Sequence, residues 1–348
     1  MMRHHVPHVT QGVGDPKKVA LLMWENGVGD DVASMPGVAQ KIADGYRVTI
    51  YTTAFRAPMW RSSYWRSLGL DVRTYSGEQF GMVARLQRDF GEIFALSQWC
   101  LYHDEEVSGA SRKDRVTQFA DAIGVVLDLR SRFDYRTALC PPSAPGYGHW
   151  AYILVALTAS NERRDYPHRY ELLSALRQAC SGFGYKRVRS VGKADEGAEV
   201  AADVWSLIEM IRGASVVVSV DTGVLALSIA LGRPTIALMG PTGASVVIEG
   251  IRRQQCRVRL IQIVRGKPSN CKLPCNFHVA RGFGQGNTCS LSQPTECMTS
   301  IKVEDVIQAF YAIERGRAAG YQEGSSHGAC YAEASAGGDA GVCPVCEP

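Results

Sequence analysis

The chain has 348 residues, 46% hydrophobic and 21% charged, with a formal net charge of +4. That length is too great for one small core and natural for two domains. No apolar run is long enough to cross a bilayer, Met1–Pro7 has no signal-peptide core, and the mild charge permits anionic ligands without singling out nucleic acid. The expected location is cytoplasmic.

Residues 1–17 read as a loosely docked arm, with His4, His5 and His8 either a metal group or part of a polar tail. Lys18 to Trp24 contains Val-Ala-Leu-Leu-Met, a buried first strand. Gly27-Val28-Gly29-Asp30-Asp31 follows and opens a helix whose inner side is Val32, Met35, Val38, Ala39 and Ile42. Pro36 is expected to bend that helix or delay its start. A strand, a Gly-x-Gly turn and a helix make a Rossmann-like beginning, but the third glycine of the dinucleotide fingerprint is missing. Asp30 and Asp31 stand there instead. Acids beside a helix N-terminus repel phosphate, so the loop suits presentation of a carboxylate to a second substrate. Helix capping by Asp30 is the other reading.

Arg47 to Thr52 and Val72 to Tyr75 are further strands. Between them Trp60, Tyr64 and Trp65 alternate with Arg56, Arg61 and Arg66, either a grip for a sugar or base or a helix packed on the sheet. Glu92 to Leu96 is a fourth strand, and Arg115 to Ile123 an amphipathic helix. Arg112, Lys113 and Arg115 read as its solvated basic face. Cys140 to Gly148, rich in Pro and Gly, is the clearest linker. The expected division is an N-terminal domain over 18–140, a linker over 141–150 and a C-terminal domain over 151–318. A flexible tail over 319–348 follows.

Ala151 to Leu157 restarts the strand pattern. The turn from Thr158 to Pro167 then carries Ser160 and Arg164 into a helix from His168 to Cys180. Arg164 either reaches a diphosphate or lies on the surface. Lys186 to Val191 is a strand and Val204 to Ile211 a helix. Val216, Val217, Val218 and Val220 form a strand buried on both faces, ended by Asp221-Thr222-Gly223. A helix to Leu231, a helix-end glycine at Gly232, a strand from Thr235 to Met239 and the turn Gly240-Pro241-Thr242 follow. In such a βαβ unit both turns fall at the carboxyl ends of the strands, where open α/β sheets bind ligands. The Asp221 turn also opens a helix, whose N–H groups and dipole hold anions such as a diphosphate. Asp221 as a plain helix cap is the alternative. Val258 to Val264 is an edge strand and Val303 to Ile313 a closing helix.

Seven of the eleven cysteines lie after residue 270; Cys100, Cys140, Cys180 and Cys256 read as buried small residues. Cys271-x3-Cys275 and Cys289-x7-Cys297 supply four thiols, which suit a structural Zn²⁺ or a single Fe with no open position for chemistry. His327-x2-Cys330 with Cys343-x2-Cys346 is either a second knuckle or a set of free thiols.

Val-Val-Val-Ser-Val-Asp-Thr-Gly, followed by Ala-Leu-Gly-Arg-Pro-Thr-Ile-Ala-Leu-Met-Gly-Pro-Thr, resembles glycosyltransferase family nine, the ADP-heptose:lipopolysaccharide heptosyltransferase family. Gly27-Val28-Gly29-Asp30 is similar to the family's first loop, and Asp114 to Gly124 to its mid-chain helix. The resemblance runs from about Val19 to Ile313. It implies a GT-B fold, two Rossmann-like doubly wound α/β domains, and an inverting sugar transfer from a nucleotide-diphosphate sugar with no cofactor for the chemistry. It places Asp30 as general base, with Gly27, Gly29 and Asp31 on the acceptor side. Ser160, Arg164, Asp221, Thr222, Gly223, Gly240, Pro241 and Thr242 fall on the donor side. Arg164 replaces the family's phosphate-pairing lysine, and Ala226 stands where a histidine is usual, which leaves the donor sugar open between heptose and hexose. The segment Cys271 to Cys297 resembles that of a branch that glycosylates protein and carries an iron-binding finger.

Two other functions are compatible with these residues. One is a nucleotide-sugar-binding protein without catalysis, for which Ala226 is the support. The other is a nucleic-acid-associated protein using Arg252 to Arg259 and the cysteines, which overlaps with the transferase if the acceptor is a modified base. The acceptor is accordingly a saccharide, a protein or modified nucleic acid.

Overall fold

Runs of buried aliphatic residues form the inner strands of two five-stranded sheets. The computed structural model describes residues 9–23, 27–75, 79–96, 114–127, 132–140, 152–160, 164–183, 187–192, 198–240, 247–254, 260–264 and 296–318. It divides into two compact units, Met1–Ala144 with Ala202–Ser206, and Pro145–Ala201 with Leu207–Pro348. The short crossing segment, Ala202–Ser206, carries no signal in the sequence.

The first unit holds β1 (Val9–Gln11), β2 (Asp15–Leu22), β3 (Arg47–Thr52), β4 (Asp71–Thr74) and β5 (Phe90–Ala95). They lie in the order β1-β5-β2-β3-β4, all parallel except β1 against β5. Around them run α1 (Val28–Ala43), α2 (Ala57–Trp60), α3 (Ser63–Ser67), α4 (Gln79–Leu86), α5 (Arg115–Ala122) and α6 (Tyr135–Ala138). Val19 to Met23 are fully buried, as a central parallel strand requires.

Three readings are decided in this unit. Residues 9–17 are not an arm, because β1 pairs Val9 with Phe94 and Gln11 with Glu92, and β2 already begins at Asp15. Gly12 and Gly14 make this close pairing feasible. A Cβ on Gly12 would stand 1.9 Å from the Phe90 carbonyl oxygen, and one on Gly14 2.3 Å from the Asp89 carbonyl carbon. Pro36 does not delay α1, which starts at Val28 and runs through it; the surrounding packing offsets the lost N–H. The aromatic–arginine stretch is packing rather than a ligand grip. Trp60 and Trp65 are fully buried with ring centroids 4.9 Å apart, and Phe133 stacks on Trp65 at 5.9 Å.

The second unit holds β6 (Tyr152–Ala156), β7 (Arg187–Ser190), β8 (Ala214–Val220), β9 (Thr235–Met239) and β10 (Leu260–Val264). All are parallel, in the order β10-β9-β8-β6-β7. Helices α7 (Arg169–Ser181), α8 (Val204–Arg212), α9 (Gly223–Ala230), α10 (Glu249–Gln254), α11 (Glu296–Thr299) and α12 (Val303–Ala318) complete the described elements. One core joins Ile153, Val155, Val216, Val218, Ile236 and Leu238 of the sheet to Leu172 and Leu176 of α7 and Val306 and Phe310 of α12. Each such fully buried side chain contributes about 1.5–3 kcal/mol. Gly232, at φ 70°, ends α9 in the left-handed conformation that glycine adopts without strain.

Strand order fixes where each sheet can bind. In the first, after the edge strand β1, the parallel strands begin at β2, leave to one side for β3 and β4, and return on the other for β5. In the second the chain enters at β6, leaves to one side for β7, and returns on the other for β8, β9 and β10. The carboxyl ends of β2 and β5, and those of β6 and β8, therefore flank the switch points where open α/β sheets leave a crevice.

Candidate active site

At the first switch point, Gly27 is the N-cap of α1 with φ −88° and ψ 171°. Asp30 Oδ2 accepts the Gly27 N–H at 2.9 Å, so the capping reading holds. Asp30 Oδ1 accepts from Arg115 Nη1 at 2.9 Å, from the first turn of α5. Asp30 is 2% exposed. Gly29 lies in the first turn of α1, half-buried.

Asp31 is fully buried and pairs with Arg56 Nη1 at 3.0 Å, while Arg56 also donates to the Met23 carbonyl and to Thr53 Oγ1. Arg56 thus ties the ends of β2 and β3 to the start of α1. Burial pushes the Asp31 carboxyl up to about 7 against the pull of Arg56, and the neighbouring Asp30 charge acts in the same direction as burial. This fixed, enclosed carboxyl is a structural group, which corrects the expectation that Asp31 faces an acceptor.

At the second switch point three expected donor residues meet. Arg164 Nη1 donates to the Asp221 carbonyl at 3.0 Å and to Asp221 Oδ2 at 3.2 Å, and Arg164 Nη2 donates to Ser160 Oγ at 2.9 Å. The pair is partly buried, with side chains 19% and 8% exposed. The surface reading of Arg164 is therefore wrong. Thr222 is the extended N-cap of α9, and its Oγ1 lies 3.1 Å from Ser219 Oγ. Ser219 donates to the Val220 carbonyl at 2.8 Å, so Thr222 is the donor of that hydroxyl pair and its proton is already engaged. Any anion at this turn is held mainly by backbone N–H groups of α9 and by Arg164. Gly223 begins α9, and Gly240 is buried just past β9. Pro241 and Thr242 lie outside the described residues. Ala226 is buried one turn into α9 and offers no polar group.

Cys271, Cys275, Cys289, His327, Cys330, Cys343 and Cys346 lie outside the described residues, as do His4, His5 and His8. Cys297 falls on α11. Among the described residues no group of three or more His, Cys, Asp or Glu side chains comes together as a metal site. Arg252 of the basic stretch is spent on Glu249 of its own helix, at 2.7 Å, while Arg257 and Arg259 lie outside the described residues. Among the described residues no helix is long and apolar enough to cross a membrane.

Residues 138–264 match the family described as glycosyltransferase family 9 (heptosyltransferase). The match is to this segment and not to the whole chain. The matched segment holds Ser160, Arg164, the Asp221 turn and Gly240-Pro241-Thr242, whereas Asp30 lies outside it. Solved structures agree in fold. The iron-containing dodecameric glycosyltransferase TibC from enterotoxigenic E. coli H10407 is similar at 13% identity and TM-score 0.58, over 88% of this chain and 78% of that one. TibC in complex with ADP-D-β-D-heptose gives a TM-score of 0.56 at 13% identity over the same shares. E. coli heptosyltransferase WaaC with ADP is similar at 14% identity and TM-score 0.51, over 85% of this chain and 99% of that one. No curated protein sequence matches the chain. The α/β fold with parallel sheets is similar to that of these GT-B heptosyltransferases.

Arg115 is the residue that sequence reasoning missed. Its place in a basic cluster pointed to a solvated face, and only the long-range pairing with Asp30 identifies it.

Proposed function

We propose that the chain transfers a sugar from a nucleotide-diphosphate sugar to an acceptor hydroxyl with inversion at the anomeric carbon. The observation that carries this is the convergence of Arg164, Ser160 and Asp221 at the switch point between β6 and β8. The donor diphosphate lies at the start of α9 and takes over part of the Arg164 guanidinium. Asp30 accepts the proton of the acceptor hydroxyl, and the oxygen attacks the anomeric carbon as the bond to the diphosphate breaks. The electron pair leaves on the β-phosphate oxygen, whose charge Arg164 and the helix N–H groups stabilise. The chemistry uses no cofactor.

The donor sugar is a heptose or a hexose, and TibC and WaaC, crystallised with ADP-heptose and ADP respectively, set the first candidates. The acceptor is a saccharide, a protein or modified nucleic acid. Cys271, Cys275, Cys289 and Cys297 are a donor set of the kind that holds structural Zn or Fe, and metal analysis of the purified chain against a Cys271→Ser variant tests it.

The test of the reaction is a thermal-shift screen against ADP-, UDP- and GDP-linked hexoses and heptoses, followed by nucleoside-diphosphate release with wild type and Asp30→Asn. Stabilisation by a donor and near-complete loss of release in Asp30→Asn are expected. Near wild-type turnover in that variant removes Asp30 from its role. A binding protein without catalysis is the second reading, favoured by the burial of Asp30 and by Ala226. Calorimetric donor binding with no product from any acceptor class would establish it.

A further inference from the structure

Helices α1 and α5 run side by side in the same direction, fastened at three points. At their amino ends Arg115 Nη1 meets Asp30 Oδ1 at 2.9 Å. In the middle a Cβ on Gly37 would lie 3.2 Å from Ala120 Cα, so the two backbones touch. At their carboxyl ends Lys41 Nζ, buried over the Tyr46 ring at 4.1 Å, donates to the Ile123 carbonyl at 3.1 Å. That last contact also satisfies a helix-end acceptor of α5.

Arg115 is not there for the sake of its own helix. A cation in the first turn opposes the helix dipole, and the N-cap work is done by Asp114, which accepts the Thr117 N–H at 3.1 Å. Nor does stability call for it, since a buried ion pair is commonly replaced by apolar residues at no loss. Arg56 serves Asp31, which leaves Arg115 to Asp30. What the pair does accomplish is geometric. Asp30 Oδ2 is tied to its own turn and Oδ1 to a second helix whose register is locked by Gly37 and Lys41. The carboxylate plane is thereby fixed from two independent elements.

We propose that Arg115 is a positioning residue for Asp30, set in place by the α1–α5 helix pair. This rests on the reading of Asp30 as the base. The side chain acts through Asp30, and it is the loss of aim that its removal exposes; a misplacement of about 1 Å costs on the order of 100-fold.

The experiment is a double-mutant cycle on the full chain. Turnover is read as nucleoside diphosphate released from whichever of ADP-heptose, ADP-glucose, UDP-glucose and GDP-mannose is consumed, with urea unfolding of each variant alongside. Arg115→Met is expected to lower kcat by about 10- to 100-fold with donor KM unchanged. In the Asp30→Asn background it should cost nothing further, because a residue acting through Asp30 has nothing left to aim. Arg115→Lys, which keeps the charge at a smaller structural change, should recover part of the rate and carries the cycle if Arg115→Met does not fold. Losses that multiply in the double variant, or a changed KM with kcat intact, overturn the inference while leaving the base reading standing. Wild-type turnover in Asp30→Asn, or no turnover with any donor, removes the base reading and the inference with it.

Discussion

Replacing Arg164 by Ala separates a ligand-holding role from a merely structural one. The guanidinium makes three contacts, two to Asp221 at 3.0 and 3.2 Å and one to Ser160 at 2.9 Å. Its loss leaves the Asp221 carboxylate, 8% exposed, without this partner. Breaking a buried pair costs about 3–5 kcal/mol and an exposed one less than about 1; Arg164 is 19% exposed, so about 2 kcal/mol of stability is expected to go. A charge-assisted hydrogen bond to a diphosphate adds about 1.5–3 kcal/mol to binding, so donor affinity should fall about 10- to 150-fold. Urea unfolding measures the first loss, and calorimetric titration with the donor identified by thermal shift measures the second. Adding Asp221→Asn removes the stranded charge and should return most of the stability but none of the affinity. Full donor affinity in Arg164→Ala, beside the loss of stability, would refute the assignment and make the pair a brace.

Three further outcomes are expected. Tyr166→Phe removes the hydroxyl that donates to the Ile301 carbonyl at 2.9 Å in a buried setting, so a loss of about 1–2 kcal/mol by urea unfolding is expected; an unchanged midpoint would speak against that bond. Gly37→Val drives a branched side chain into the Ala120 backbone, at a cost of about 1–3 kcal/mol, whereas Gly37→Ala sets a contact at 3.2 Å against a helix-propensity gain of up to about 1 kcal/mol. Valine tolerated as well as alanine would show that the helices are not in contact there. Asp31 titrates at about 7 in the folded chain against 3.8 for the ordinary group, so the folded state takes up its proton first as pH falls. Its contribution to stability is then greatest below about pH 4 and is lost as pH rises through about 7, at up to about 1.4 kcal/mol per unit. Wild type should lose stability relative to Asp31→Asn between about pH 4 and 7, and parallel curves would contradict the upward shift of the Asp31 carboxyl.

What the sequence displays is whatever local pattern determines. The run Thr235 to Met239 is apolar, bounded by Pro234 and Gly240, and is the strand β9 to the residue. Asp221-Thr222-Gly223 could be placed at a strand end because a buried valine run stops there. The failures have physical causes. Arg115 and Arg56 look like surface charge until the chain brings Asp30 and Asp31 to them, 85 and 25 positions away. Strand β1 has three residues, too few for a period of two to register, and its pairing depends on Gly12 meeting the backbone of β5. Pro36 misled for the opposite reason, since local propensity is a weak term beside the packing of a helix with Met35 and Val38 buried on either side of it.

The two candidate sites share an electrostatic design that composition does not reveal. Every charge expected to do chemistry is already matched within its own unit: Asp30 by Arg115, Asp31 by Arg56, Arg164 by Asp221. Pairing of this kind removes the cost of holding a lone ion in a half-buried crevice, but it sets a condition on binding. A diphosphate reaching Arg164 must compete with Asp221, so the affinity it gains is a difference between two ion pairs. On the proposed reading, displacement from Arg164 releases Asp221 Oδ2 as an acceptor for a hydroxyl of the incoming sugar. A neutral ligand offers nothing to displace Asp221 from Arg164, so Oδ2 stays engaged, and a bare phosphate makes the exchange without supplying hydroxyl donors. On that reading the arrangement favours a molecule that carries both, an anionic diphosphate joined to a polyol, over either part alone.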